Sequence, residues 1–135
     1  MPDAARQLNR GFGRVLVVIY ATFALAATAR SLVQIVTRFD EAPVAYLLSA
    51  GAAVIYVVAT IALARGDRTS RRVATVAIVI ELAGVLAVGA LSLAAPDAFP
   101  QASVWSAFGR GYLFLPLVLP IVGLWWLRRT RASQV

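Results

Sequence analysis

The stretch VATVAIVIELAGVLAVGALSLA, residues 73–94, decides the fold: 22 residues broken by a single charge, Glu81. At 1.5 Å of rise per residue, about 20 apolar residues in a helix cross the ~30 Å hydrocarbon core of a bilayer. Three other stretches have the same character. One runs from Val15 through Arg30 to about Thr37, one from Pro43 to Ala64, and one from Phe108 to Leu127. The sequence therefore predicts an all-α polytopic membrane protein: a single transmembrane domain over residues 1–135, a bundle of four helices at about 15–37, 43–64, 73–94 and 108–127. Pro43 suits a first helical position, where its missing N–H costs nothing.

Composition leads to the same place. Of 135 residues 61% are hydrophobic and 14% charged, with a mean hydropathy of +0.80. A soluble domain has about 45–50% apolar and ~25% charged residues, and could not hide this much apolar surface. The four spans use up nearly all of the length, leaving no room for a separate catalytic domain.

Orientation follows from the arginines, which are retained on the cytoplasmic side during insertion. Arg6, Arg10 and Arg14 precede the first span, Arg65, Arg68, Arg71 and Arg72 join the second to the third, and Arg128, Arg129 and Arg131 follow the fourth. Arg30, Arg38 and Arg110 stand on the opposite side, accompanied by Asp40, Glu41 and Asp97. Ten against three predicts both termini inside. Trp125 and Trp126 would then mark the inner boundary, and Tyr46, Trp105 and Tyr112 the outer one. The first span also carries features of a secretory signal peptide: a basic lead, a 15-residue apolar run (Val15–Ala29) and small residues at Ala24–Ala29. Its apolar character resumes at Leu32, Val33, Ile35 and Val36, so a retained helix is expected.

The chain contains neither cysteine nor histidine, which removes disulfides, thiolate chemistry, imidazole bases and the usual zinc, haem and iron–sulfur ligands. No phosphate-binding loop, zinc-protease motif or nucleophile elbow occurs, and no enzyme activity, cofactor or metal is expected. The net charge of +7 comes from 13 arginines and no lysine. Set beside the apolar segments, those arginines suit anionic lipid headgroups at the cytoplasmic face and not nucleic acid. Arginine in place of lysine, with abundant Ala and Val, fits a GC-rich bacterial genome and a bacterial plasma membrane.

Glu81 is the main candidate site. If residues 73–92 cross the bilayer, it falls within about one turn of the midplane, where a charged carboxylate costs ~2.5–3.5 kcal/mol and needs a partner or a proton. Its helical face, Ala74, Ala77, Gly84 and Val88, is small enough to pack closely on other helices. Arg30 is a candidate counter-ion, although snorkelling outward beside Gln34 suits its depth better. Tyr20, Tyr56 and Thr60 offer hydroxyls at the depth of Glu81. Tyr20, Ala24, Ala27, Ser31 and Gln34 form one small and polar stripe; Ala45, Ser49, Ala53 and Tyr56 form another. Pro116 and Pro120 predict a kink in the fourth span, freeing the carbonyls of Tyr112 and Pro116 to line a pathway. The segment Pro96–Tyr112 reads as an amphipathic piece lying along the outer interface.

The segments FALAATARSLVQ (23–34), EAPVAYLLSA (41–50), ELAGVLAVGALS (81–92) and SVWSAFGRGYLFLPLVLPIVGLWW (103–126) resemble the small four-helix integral membrane proteins of actinobacteria, a group without an assigned function. The resemblance implies the four-helix architecture and carries over no site residue. On the sequence alone the leading expectation is a protein working by helix packing, as an accessory subunit or scaffold of a membrane complex or as a homo-oligomer. The alternative is an oligomeric proton- or cation-coupled transporter or channel centred on Glu81, and a third is a lipid- or quinone-binding protein.

Overall fold

The computed structural model describes the backbone of residues 2–98, 103 and 105–131, and the side chains of 10–97, 103, 105–110 and 113–130. Among the described residues the chain is helical without a strand. Helix α1 is Pro2–Arg38, α2 is Pro43–Arg65, α3 is Arg68–Ala94 and α4 is Leu115–Arg131. The first three are long and apolar enough to cross a membrane.

Local chemistry sets the breaks. Pro43 opens α2, and Gly66 ends it in the left-handed conformation, its N–H reaching Ala62 O at 3.2 Å. Asp67 caps α3 by accepting from Ser70 N at 3.3 Å and from its hydroxyl. The cap starts α3 five residues before the expected Val73, drawing Arg68, Arg71 and Arg72 into its first turns.

The two small stripes are buried as expected. On α1, Tyr20, Ala24, Ala27 and Ser31 are buried and Gln34 half-buried; on α2, Ala45, Ser49, Ala53 and Tyr56 are buried. These faces meet each other and α3, with α1 packing mainly on α2 and α2 on α3. Small residues let the backbones approach, as helix packing in lipid requires. The outward faces carry Val18, Leu25, Leu32, Val54, Ile61, Val76 and Leu91, all exposed.

The last quarter of the chain departs from the expected helix over 108–127. Phe108 does not start a helix: Ala107, Phe108, Leu113 and Phe114 all have positive φ, between 50° and 61°. Helix α4 begins only at Leu115, which puts Pro116 in its first turn. There a proline's missing N–H is not needed, so Pro116 makes no kink and Tyr112 lies outside the helix. Pro120 alone is inside α4, depriving the Pro116 carbonyl of its helical donor.

Helix α4 runs antiparallel to α3. A Cβ on Gly123 would sit 3.2 Å from Ile78 Cδ1, and Arg71 donates to Leu127 O at 2.9 Å and to the Thr130 hydroxyl. Counting back from Gly123, Leu115 lies level with about Leu86. Helix α3 continues roughly 12 Å further, to Ala94. Irregular chain covers that outer part of α3.

Candidate functional site

Glu81 is fully buried, with none of its surface exposed. Tyr20 of α1 donates its hydroxyl to Glu81 Oε1 at 2.8 Å, while Oε2 is buried without a hydrogen-bond partner among the described residues. The Tyr20 ring lies 6.3 Å from that of Tyr56 on α2, and the Phe23 ring lies 5.9 Å from Tyr56 on its other flank. From α4, Gly123 faces the same spot: a Cβ there would be 3.5 Å from the Tyr20 hydroxyl. All four helices thus converge on one carboxyl.

The fifth contributor is Trp105, whose indole N–H donates to the Tyr56 hydroxyl at 3.0 Å. Trp105 does not lie along the outer interface as its surroundings suggested; it is buried, with 6% of its surface exposed. Its ring rests on Gly84, where an added Cβ would meet it at 2.5 Å. Phe108 does the same to Gly89, at 2.3 Å. These glycines are grooves for rings from a non-helical segment. Gly84 stands ten residues before the end of α3, so the indole reaches ~15 Å inward of that end. Of the other aromatic residues expected at this boundary, Tyr46 is buried and the Tyr112 side chain lies outside the described residues.

The segment has its own polar supports. Ser103 N donates to Ser106 Oγ at 2.8 Å, the two hydroxyls lie 2.8 Å apart, and Ala107 N donates to Ser92 Oγ on α3 at 2.7 Å. Gly109 O accepts from Phe114 N at 3.0 Å. Left-handed backbone at a non-glycine residue costs ~1–2 kcal/mol, and here four such residues are held by these bonds and by the two rings.

The remaining sequence candidates lie elsewhere. Thr60 donates to Tyr56 O at 2.6 Å on its own helix and does not serve Glu81. Arg30 is exposed and is not the counter-ion of Glu81, whose oxygens are accounted for by Tyr20 and by the unpartnered Oε2. Gln34 stands at the outer end of α1, one turn beyond Arg30. Pro116 and Pro120 are both fully buried within α4. Of the residues the sequence singles out, the structure brings Glu81, Tyr20 and Tyr56 together, and it adds Trp105, which the sequence reading placed at the boundary.

Chemically, the centre is one carboxyl with a neutral donor on one oxygen and an open lone-pair face on the other. Among the described residues no three acidic groups gather to hold a metal ion. A cation here would be bound by Glu81 with neutral oxygens, and a proton by Oε2. No protein-family model matches the chain, and no curated protein or solved structure matches it either.

Proposed function

We propose that the chain is a multi-pass protein of a bacterial plasma membrane, crossing it four times with both termini on the cytoplasmic side. We further propose that it acts as an oligomeric proton- or cation-coupled transporter or channel centred on Glu81. The observation that carries this reading is the half-satisfied carboxyl: fully buried, bonded to Tyr20 through Oε1 and open at Oε2. Intramembrane acids are expensive to bury and mark ion or proton pathways. A purely structural acid would be expected to have both oxygens engaged, because an unmade buried bond costs ~1–3 kcal/mol.

The irregular segment suits a gate. It covers the outer side of the centre with Trp105, and its short 3-10 turns, interrupted by left-handed residues at Ala107, Phe108 and Gly109, form no continuous ladder of backbone bonds. Withdrawal would expose the Tyr56 hydroxyl first and Glu81 next. On the other side of the centre, Arg71 clasps the end of α4 through Leu127 and Thr130, holding the inner half of the bundle fixed.

An accessory subunit working by helix packing is the second reading. It drew support from small-residue faces, and those faces are occupied within this chain, leaving Val, Leu and Ile outside.

Reconstitution tests the first reading. Proteoliposomes carrying the protein should pass protons or a monovalent cation above the rate of empty liposomes. Glu81→Gln should abolish that flux while elution volume and helical content stay unchanged. Unchanged flux in Glu81→Gln, or none in the parent protein, would refute it.

A further inference from the structure

A trough runs along the outer surface between α2 and α3, enclosing about 310 Å³ and lined by Ile55, Val58, Val73, Val76 and Ile80 with Arg72 at one end. It follows α3 from Arg72 to Ile80, roughly 12 Å of helix. We propose that this trough binds one anionic phospholipid, its acyl chain lying on Val76 and Ile80 and its phosphate held between Arg72 and Arg68.

The two ends of the trough differ in a way that matches such a molecule. Apart from Arg72 its lining is apolar. Arg68 stands one turn before Arg72, about 40° round the helix, beyond the trough's own lining but close enough for the two guanidinium groups to reach one phosphate. Both arginines are exposed. The nearest acid in sequence, Asp67, is committed to capping α3 through Ser70. Arg71 points the other way, to Leu127, Thr130 and the Trp126 ring at 5.4 Å. Among the described residues neither guanidinium group has an acidic partner, and both stand at the headgroup end of an acyl-sized trough, where a guanidinium fork matches phosphate oxygens. A neutral ligand such as a quinone would leave both charges unanswered. A second copy packed in parallel would set arginine against arginine. The site is independent of any role for Glu81.

Native mass spectrometry of the full chain released from detergent tests this, with phosphatidylglycerol and phosphatidylcholine of identical acyl chains as probes. The parent protein should retain one phosphatidylglycerol per chain in preference to phosphatidylcholine. Losing an arginine near a charged headgroup weakens binding about five-fold, so R68Q/R72Q should bind phosphatidylglycerol about 25-fold more weakly, with phosphatidylcholine unchanged. Val76→Trp, at an exposed position that fills the trough without touching the core, should weaken both lipids. Equal retention of the two lipids, unaltered phosphatidylglycerol binding in R68Q/R72Q, or a dimer that Val76→Trp dissociates would overturn the proposal. Should the arginine variant lose helical content, Val76→Trp decides alone.

Discussion

Helix α3 is covered in two different ways on either side of Glu81. On the inner half, α4 lies along it as a regular antiparallel helix, with Gly123 against Ile78 and Arg71 clasping Leu127 and Thr130. On the outer half the cover is irregular chain, two aromatic rings laid on Gly84 and Gly89 and a backbone held in left-handed conformations. Helix α4 bonds its backbone internally except at Pro120; the irregular cover combines a few backbone bonds with acceptors supplied by the Ser92 and Ser106 hydroxyls. Non-helical backbone at membrane depth is tolerated where it is buried in protein or lines a cavity. The contrast separates a half covered by a regular helix from a half covered by irregular chain, with the acid at their junction.

Breaking the outer half should have the largest effect. Gly89→Leu drives a side chain into Phe108 and should cost ~1–3 kcal/mol by overpacking. Because the chain has no native cysteine, Ser103→Cys gives a clean reporter. An impermeant maleimide should label it poorly in the parent background, where Ser103 is 6% exposed, and readily with Gly89→Leu. At the junction, Tyr20→Phe removes the hydroxyl that donates to Glu81 Oε1 and should lower stability by about 2 kcal/mol in thermal unfolding. Most of that loss should vanish when Glu81→Leu, which has no acceptor, is already present, a coupling that a double-mutant cycle reads directly.

Loosening the inner half should cost less, since its clasp is partly exposed. Arg71→Met should destabilise by about 1–2 kcal/mol without increasing labelling at position 103. Trp105→Phe keeps the ring on Gly84 and loses only the bond to Tyr56, about 1 kcal/mol, yet it should raise labelling. The smallest effect belongs to the α3 cap. The Ser70 hydroxyl and N–H hold the Asp67 carboxyl below its ordinary value of 3.8. A depressed folded value means stability that is present above the ordinary value and lost as the pH falls through the folded one. An acid titration of unfolding should therefore show a slight decline below about pH 4 that Asp67→Ala removes.

Much of this molecule can be read from sequence because lipid makes the code simple. Apolar length marks three helices, and small residues at helical spacing mark their inner faces, so Tyr20, Tyr56 and Glu81 could be brought together before any coordinates. The fourth segment misled because Phe108–Leu127 is apolar apart from Arg110, and apolar length alone does not distinguish a helix from a buried irregular run. Two signals were present. A residue before proline disfavours helical backbone, pointing to a boundary at Leu115–Pro116, and Gly109 with Gly111 marked chain free to turn. Trp105 was read as interfacial because its neighbours are polar. Its true seat depends on Gly84, which was taken for a helix contact; no local feature tells a groove for a helix from a groove for a ring.

Infrared difference spectroscopy of the reconstituted protein, across a pH or cation step, addresses the acid most directly. A carboxyl carbonyl band should change with the step, be absent in Glu81→Gln and shift in Tyr20→Phe, whose hydroxyl no longer binds Oε1. A spectrum with no Glu81-dependent change would mean that the carboxyl is a fixed part of the bundle, and would contradict its assignment as a proton or cation site.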